Sequence, residues 1–380
     1  MYPFQGWADL PEGLLESIIA RLGLVSSLDL VAFATTCRSW HAAFSSFLPL
    51  LPPLLFQPDA PPCSPRPTPI INSLVLTQPC CVTNIANQET YQCCEIPMLS
   101  PFGRNNTLPS PLERFCFRGA SYGHIILSSN KSCVVADIFT GVRVLSPQLP
   151  VFEDTELFYG ALTAPLALPN SHLIVDTGSQ NLFWRVGNHS WVPRTPGNGP
   201  IKQIVVVKGQ VFGMDSDRRI FKVHLTPEIN IQELPIMESS MINKYHLTNT
   251  WLVACGDMLL LVGFWGPIAV SGVTFEVFRL DLTIEPALWL KVEKVENWAI
   301  FISTDKRSQT LSCMNPEVWG GRSNCIYCYN HESKHWIALE LGKPLQGDRS
   351  KYNPDVFIYT GCDSTVQPMW VVPSMLSFCR

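Results

Sequence analysis

The chain has 380 residues, 27 of them basic and 31 acidic, for a formal charge of −4. Only 15% of residues are charged and 46% are hydrophobic, against a usual charged share of ~25%; this excludes a disordered solvating chain and leaves no long basic stripe for a phosphate backbone, so neither nucleic acid nor a membrane is expected as partner. At roughly 100–200 residues per domain the length implies two or three domains, with core enough to fold without disulfide staples.

Fourteen cysteines would suit a disulfide scaffold behind a secretory leader, but MYPFQGWADLPEG has neither a basic patch nor a long apolar run. The opening reads as cytoplasmic or nuclear, and the cysteines as thiols that pack like small hydrophobes.

Asp9-Leu10-Pro11-Glu12 is a helix-start signature: a capping acid, a proline tolerated in the first turn and an acid three residues on. Leu14, Leu15, Ile18 and Leu22 then recur on one helix face, and Gly23 supplies a stop. A second start at Ser26-Ser27 leads into Leu28, Asp29, Leu30, Val31 and Phe33, and the run ends in Thr36-Cys37-Arg38-Ser39-Trp40 with Phe44 a turn beyond. Three short helices over residues 5–47 form too small a unit to cover all of this apolar surface, since domains below ~40 residues usually need a metal, disulfides or a partner. Part of it is therefore expected to face another protein.

In order and spacing, Leu10-Pro11, Leu14-Leu15, Ile18, Leu22, Leu28-Asp29-Leu30 and Cys37-Arg38-Ser39-Trp40 resemble the F-box motif. The resemblance implies docking onto the Skp-type adaptor of an SCF-type ubiquitin ligase, and through it onto cullin. The contacts it implies are Leu10, Pro11, Leu14, Leu15, Ile18, Leu22, Leu28, Val31, Cys37 and Trp40. Gly23 and Thr36 depart from the family pattern, where proline and valine are common.

Residues 48–69 read LPLLPPLLFQPDAPPCSPRPTP, a proline-rich linker, because repeated prolines bar a helix interior and remove strand donors. From Ile70 to the end, short apolar runs alternate with Gly, Asn, Asp and Ser, as in HIILSSNKSCVVADIFTG and HLIVDTGSQNLFWRV, an all-β pattern. Val175-Asp176 with Leu182–Val186 lies over Met214-Asp215 with Arg219–Val223, an offset of 39 residues between the aspartates. That period fits a propeller blade of ~40–45 residues, and residues 70–380 divide into six or seven such blades. Run starts at His124, His172, Ile204, Leu259 and Cys325 are unevenly spaced, which leaves a β-sandwich pair open. Trp251–Val273 is long enough to cross a membrane, but Cys255-Gly256-Asp257 and Gly266-Pro267 interrupt it, so two buried strands joined by a tight turn are expected.

SYGHIILSSNKSCVVADIFTGVRVLSPQLP, NLFWRVGNHSWVPR, KGQVFGMDSDRRIFKV, FEVFRLDL and GRSNCIYCYNHES are similar to the plant KIB-type β-propeller family, which often follows an F-box. The resemblance implies a propeller that recognises a target protein. In such a ring Ile70–Leu76 is expected to pair with Met369-Trp370-Val371-Val372 and close the circle.

Cys325-x2-Cys328 and His331-x3-His335 have zinc-like spacing within each pair, but two residues separate the pairs where a finger has about twelve. In a strand, moreover, positions three apart point to opposite faces, so no metal is expected. Cys80-Cys81 and Cys93-Cys94 likewise read as packing. Asp137, Asp176, Asp215 and Asp281 sit near strand ends and read as turn stabilisers rather than acid–base groups. With no phosphate loop, nucleophile elbow or metalloprotease helix, the chain is expected to have no catalytic residues and no cofactor. Trp184, Trp191, Trp289 and Trp336 are expected in the core. Trp265 and Trp319 adjoin glycines and are the candidate target-binding anchors. The sequence thus reads as a non-catalytic substrate receptor, with an interaction scaffold and, less well supported, a propeller hydrolase as alternatives.

Overall fold

The computed structural model describes residues 6–7, 10–23, 33, 36–47, 52–58, 77–78, 80–86, 88–92, 96–97, 116–129, 132–151, 155, 157–194, 199–237, 247–265, 274–330, 335–343 and 366–373. The helical part comprises Glu12–Gly23 and Arg38–Phe47. Leu14 and Leu15 are 100° apart on the first helix, and only Leu15 is buried in the module's core. Leu15 and Ile19 turn inward against Phe33, Ala43 and Phe44. Phe33 and Trp40 stack with ring centroids 4.5 Å apart, and the Trp40 indole N–H donates to the Trp7 carbonyl. The middle helix expected from Ser26 lies outside the described residues apart from Phe33.

The remaining described residues form a six-bladed propeller of four-stranded sheets, together with a two-stranded pair of Thr77–Gln78 and Ile96–Pro97. From the channel outward, the second blade is Cys116–Ser121, His124–Ser128, Cys133–Asp137 and Arg143–Leu145. The third is Tyr159–Leu162, His172–Asp176, Asn181–Arg185 and Val192–Arg194. The fourth is Gln203–Val207, Gln210–Met214, Ile220–His224 and Asn230–Glu233. The fifth is Leu247–Cys255, Met258–Trp265, Phe275–Asp281 and Leu288–Val292. Its first two strands are the hairpin expected in place of a membrane span, and no helix among the described residues is long and apolar enough to cross one.

Strands such as HIILS, CVVAD and HLIVD are buried along their whole length because each blade has a neighbour on both faces. That is why they read as continuous apolar runs and not as alternation. Six separate apolar clusters fill the six gaps between blades and so complete the ring. Outer strands such as RVL and NIQE are exposed.

Closure corrects one expectation. Met369–Val371 pairs with Leu54–Phe56, not with Ile70–Leu76, which lies outside the described residues. Leu54–Pro58 also pairs with Cys80–Asn84, which pairs with Thr90–Gln92, so the first blade takes its inner strand from the end of the chain and its other three from residues 54–92. Part of the proline-rich stretch is therefore sheet, not linker.

The sixth blade departs from simple order. Trp298–Phe301 occupies the second place, Leu311–Met314 returns to the inner place, and Cys325–Asn330 pairs in parallel with Trp298–Phe301 after a 3-10 turn at Pro316–Trp319; His335–Glu340 is outermost. The intervening segment reaches into the channel. Ser308 bridges Ala120 of the second blade and Ser308 Oγ meets Met369 Sδ at 3.3 Å. Arg307 donates to the Phe117 carbonyl, and Thr310 Oγ1 to the Leu252 carbonyl of the fifth blade.

One glycine makes room for this segment. A Cβ on Gly119 would lie 2.0 Å from the Gly160 carbonyl oxygen and 2.8 Å from that of Arg307. Because both clashes are with backbone, Gly119→Ala is expected to cost about 3 kcal/mol or more, at the upper end of overpacking effects. Gly13→Ala, in open space on a helix, should be neutral or stabilise by up to ~1 kcal/mol. Chemical denaturation of the two variants checks the contrast; equal stability would contradict the channel packing.

Candidate functional site

Two surfaces carry the residues singled out by sequence. In the helical module, Pro11 just ahead of the first helix and Leu14 on it are exposed, Leu14 at 49%, while Leu10, Ile18, Cys37 and Trp40 are half-buried. Positions 11, 14 and 18 form one stripe, being three and four apart. Leu15, only 2% exposed, is part of the module's own core, so its expected place on an outer contact face is corrected: it holds the helix pair together. Leu22 is on the helix, while Leu28 and Val31 lie outside the described residues. Trp7, 77% exposed, was missed by motif reading because it precedes the Leu-Pro start. Its carbonyl is tied to Trp40, which places the exposed ring at the helical module.

The second surface is the channel rim where the inner strands begin, here the entry rim. Trp319 does not reach it. The indole is 7% exposed, lies against Phe301 and Tyr327, and donates to Cys313 Sγ. A Cβ on Gly321 would fall 2.3 Å from the Trp319 ring. The glycine that suggested an exposed loop is there so that the indole can fold back over the chain. Trp265 is the last residue of a strand, its Cα opposite Leu247, and not a loop residue. Trp184, Trp191 and Trp289 are core as expected, and Trp336 is half-buried.

The aspartates divide between rims. Asp176 ends and Asp215 follows a second strand at the entry rim, whereas Asp137 and Asp281 end third strands at the opposite rim. Each accepts backbone N–H bonds from its own turn: Asp137 from Phe139 and Thr140, Asp176 from Gly178, Asp215 from Asp217 and Arg219, Asp281 from Thr283. Asp176 also pairs with Lys202 at 2.5 Å and Asp215 with Arg219 at 2.7 Å. These are Asx turns and ion pairs, not carboxylates converging on one point. Cys325 packs toward the first blade and Cys328 toward the fifth, on opposite faces of their strand. Burial pushes the thiols of Cys133 and Cys255 up to about 12, which keeps them protonated and unreactive. His331, Cys93 and Cys94 lie outside the described residues.

Two histidines set a pH dependence. His124 donates from Nδ1 to the Tyr122 carbonyl with Nε2 3.6 Å from Asp137, and His172 donates to the Asn170 carbonyl. Burial lowers both below the ordinary 6.5, outweighing the pull of Asp137 on His124. The unfolded chain then takes up these protons first, so the ring holds its stability above pH 6.5 and loses it as pH falls below that value. Each histidine contributes a slope of at most about 1.4 kcal/mol per pH unit. Denaturation at pH 7.5 and 5.5 should show a smaller drop for His172→Gln than for the wild type, and an equal drop would refute the assignment.

At the entry rim the segment 303–310 places a cation in the mouth of the channel. Lys306 Nζ lies 5.5 Å from the Trp251 ring centroid, and burial followed by the nearby Arg218 lowers its pKa to about 8. Arg218, in the left-handed region at φ 63°, donates to the Leu247 carbonyl at 2.5 Å. Asp305 pairs with Arg307 at 2.7 Å.

An F-box domain family matches residues 7–51, and the KIB1-4 beta-propeller family matches residues 96–360. No curated protein matches. Among solved structures, a chain from a Saccharomyces cerevisiae assembly of a Dbp5 variant with Nup159, a Gle1 variant, IP6 and ADP is 11% identical, with a TM-score of 0.30 over 48% of this chain and 47% of that one, so this chain spans about half its length. The catalytic domain of a Coprinopsis cinerea α-L-arabinofuranosidase is 14% identical, with a TM-score of 0.28 over 52% of this chain and 73% of that one. Similarity at this level assigns no function.

Proposed function

The chain belongs to the KIB1-4 beta-propeller family and carries an F-box ahead of the ring, and from that premise we propose that it is a substrate receptor of an SCF-type ubiquitin ligase. The helical module binds a Skp-type adaptor, and through it cullin, while the propeller holds a target protein. The reading is carried by one observation: Pro11 and Leu14 stay outside while Leu15 and Ile19 complete the module's own core. An apolar stripe left over after the core is filled is the kind of surface that finds its cover on a partner.

Mechanistically the receptor works by proximity. Residues 48–53 are all that connect the last helix to the first strand of the ring, a span of at most about 20 Å at ~3.3–3.6 Å per residue. A tether this short keeps target and transfer machinery at a restricted separation, which raises their effective concentration. Co-expression with a Skp-type adaptor and cullin, followed by affinity capture and size exclusion, is expected to give one stable complex. A folded chain that elutes alone would favour a scaffold without ligase function.

A further inference from the structure

We infer that a cleft between the third and fourth blades binds an extended polypeptide segment that carries acidic side chains on alternate residues. This deepens the receptor reading, on which it rests, by naming a place and a chemical class for the target.

The cleft has a volume of about 360 Å³. One wall is the face that the third blade turns toward the fourth. His172 stands opposite Arg185 on paired strands, and Phe183 stands opposite Val192. Residues two apart in a strand share a face, so Arg185 and Arg194, two positions to either side of that second pair, project from the same wall. The facing wall is the turn 225–229, which joins the third and fourth strands of the fourth blade. Phe183 is buried between the walls, and Val192, Leu225 and Ile229 pack on the same apolar cluster, so the cleft has an apolar floor under its charged flank.

The two guanidiniums are positioned by backbone and not by carboxylates. Arg185 donates from Nε to the Pro169 carbonyl at 3.1 Å; Arg194 donates from Nε across the gap to the Ile229 carbonyl at 3.3 Å and from Nη1 to the Pro193 carbonyl at 2.9 Å. Among the described residues these are their only bonds, which leaves both Nη groups of Arg185 and Nη2 of Arg194 for a ligand. Anchoring of this kind lowers the freedom lost on binding. Glu228, exposed on the facing turn, is the one acid in the lining. With His172 neutral the cleft is therefore net positive, on a chain whose formal charge is −4.

His172 favours a polypeptide over a bare anion. Its Nδ1 donates to the Asn170 carbonyl, so in the neutral ring Nε2 is an acceptor, and Nε2 has no partner among the described residues. Burial keeps the ring neutral at pH 7, and Arg185 opposite it acts in the same direction. A polypeptide brings backbone N–H donors for that nitrogen, carboxylates for the arginines and side-chain stems for the apolar floor. Arg185 and Arg194 are four strand positions apart, about 13 Å between Cα atoms at ~3.3 Å per residue, so an extended segment with acids at more than one point engages both.

The test is fluorescence anisotropy of a labelled decapeptide of alternating glutamate and serine, titrated with the full chain at pH 7.5 and low salt, with a lysine–serine decapeptide as control. Only the acidic peptide is expected to bind. Arg185→Gln and Arg194→Gln, both at exposed positions, should each weaken it about 3- to 10-fold, and the double variant should weaken it more than either. Glu228→Gln removes the one repelling acid and should tighten binding about 2- to 3-fold. Unchanged affinity in the double variant, no binding at millimolar concentration, equal binding of the two peptides, or complete displacement of the acidic peptide by equimolar inorganic phosphate would each overturn the proposal. Adaptor capture measured on the same proteins separates the two readings: lost capture with retained peptide binding counts against the receptor role alone, and retained capture without peptide binding counts against the cleft alone.

Discussion

Leu14→Asp is expected to abolish adaptor capture while leaving the chain folded. Leu14 is half exposed and outside the apolar cluster of the helical module, so a carboxylate there is solvated in the free protein. In a complex the same carboxylate is buried without a partner, which costs several kcal/mol beyond the ~2 kcal/mol of lost apolar burial. At 1.4 kcal/mol per tenfold change, the sum corresponds to a weakening of about 1000-fold or more. Leu14→Ala removes only the burial and should weaken capture about 10- to 100-fold. Leu15→Asp is the instructive contrast: it places the charge among Ile19, Phe33 and Phe44, so loss of capture there should come with loss of helical signal. Capture by Leu14→Asp at wild-type affinity would remove the outward stripe as the docking surface.

Much of this architecture is legible in the sequence, for a physical reason. The overlay of Val175-Asp176 on Met214-Asp215 does align equivalent hairpins of adjacent blades, because both need an aspartate to receive the N–H groups of the turn between second and third strands. The uneven run starts came from comparing unlike strands: His124, His172 and Leu259 belong to second strands, Ile204 to an inner one and Cys325 to a third. Other features are invisible to composition. Leu54–Pro58 is hidden by its prolines, yet only Pro58 lies within the strand, at its end, where a missing donor is tolerated. The sixth blade's order cannot be read from a period at all, since it depends on a segment crossing into the channel. Trp319 was misplaced because a glycine beside an aromatic marks either an exposed loop or a ring folded onto backbone, and only the contact with Gly321 decides between them.

The closing strand makes the second large prediction. The first blade depends on Met369–Val371 for its inner strand, and Trp370 ties that strand to the sixth blade. The indole is buried with its N–H bonded to the Ile302 carbonyl, its backbone N–H meets Ser303 Oγ, and its ring sits edge-on to Phe301 at 5.1 Å. Trp370→Ala removes packing on both the first and sixth blades and leaves the Ile302 carbonyl without that donor. It should cost about 3–5 kcal/mol, in the range of large aromatic truncations in cores. Ending the chain before residue 366 should do more, because it exposes Leu54–Phe56 as an unpaired edge beside apolar clusters that span both neighbouring gaps. The truncated chain is expected to aggregate, while a peptide spanning residues 366–373 supplied in trans should recover part of the soluble fraction by adding the missing strand. If the truncated chain instead stays monomeric with wild-type stability, the ring is closed by some other pairing and the role given to Leu54–Pro58 fails with it.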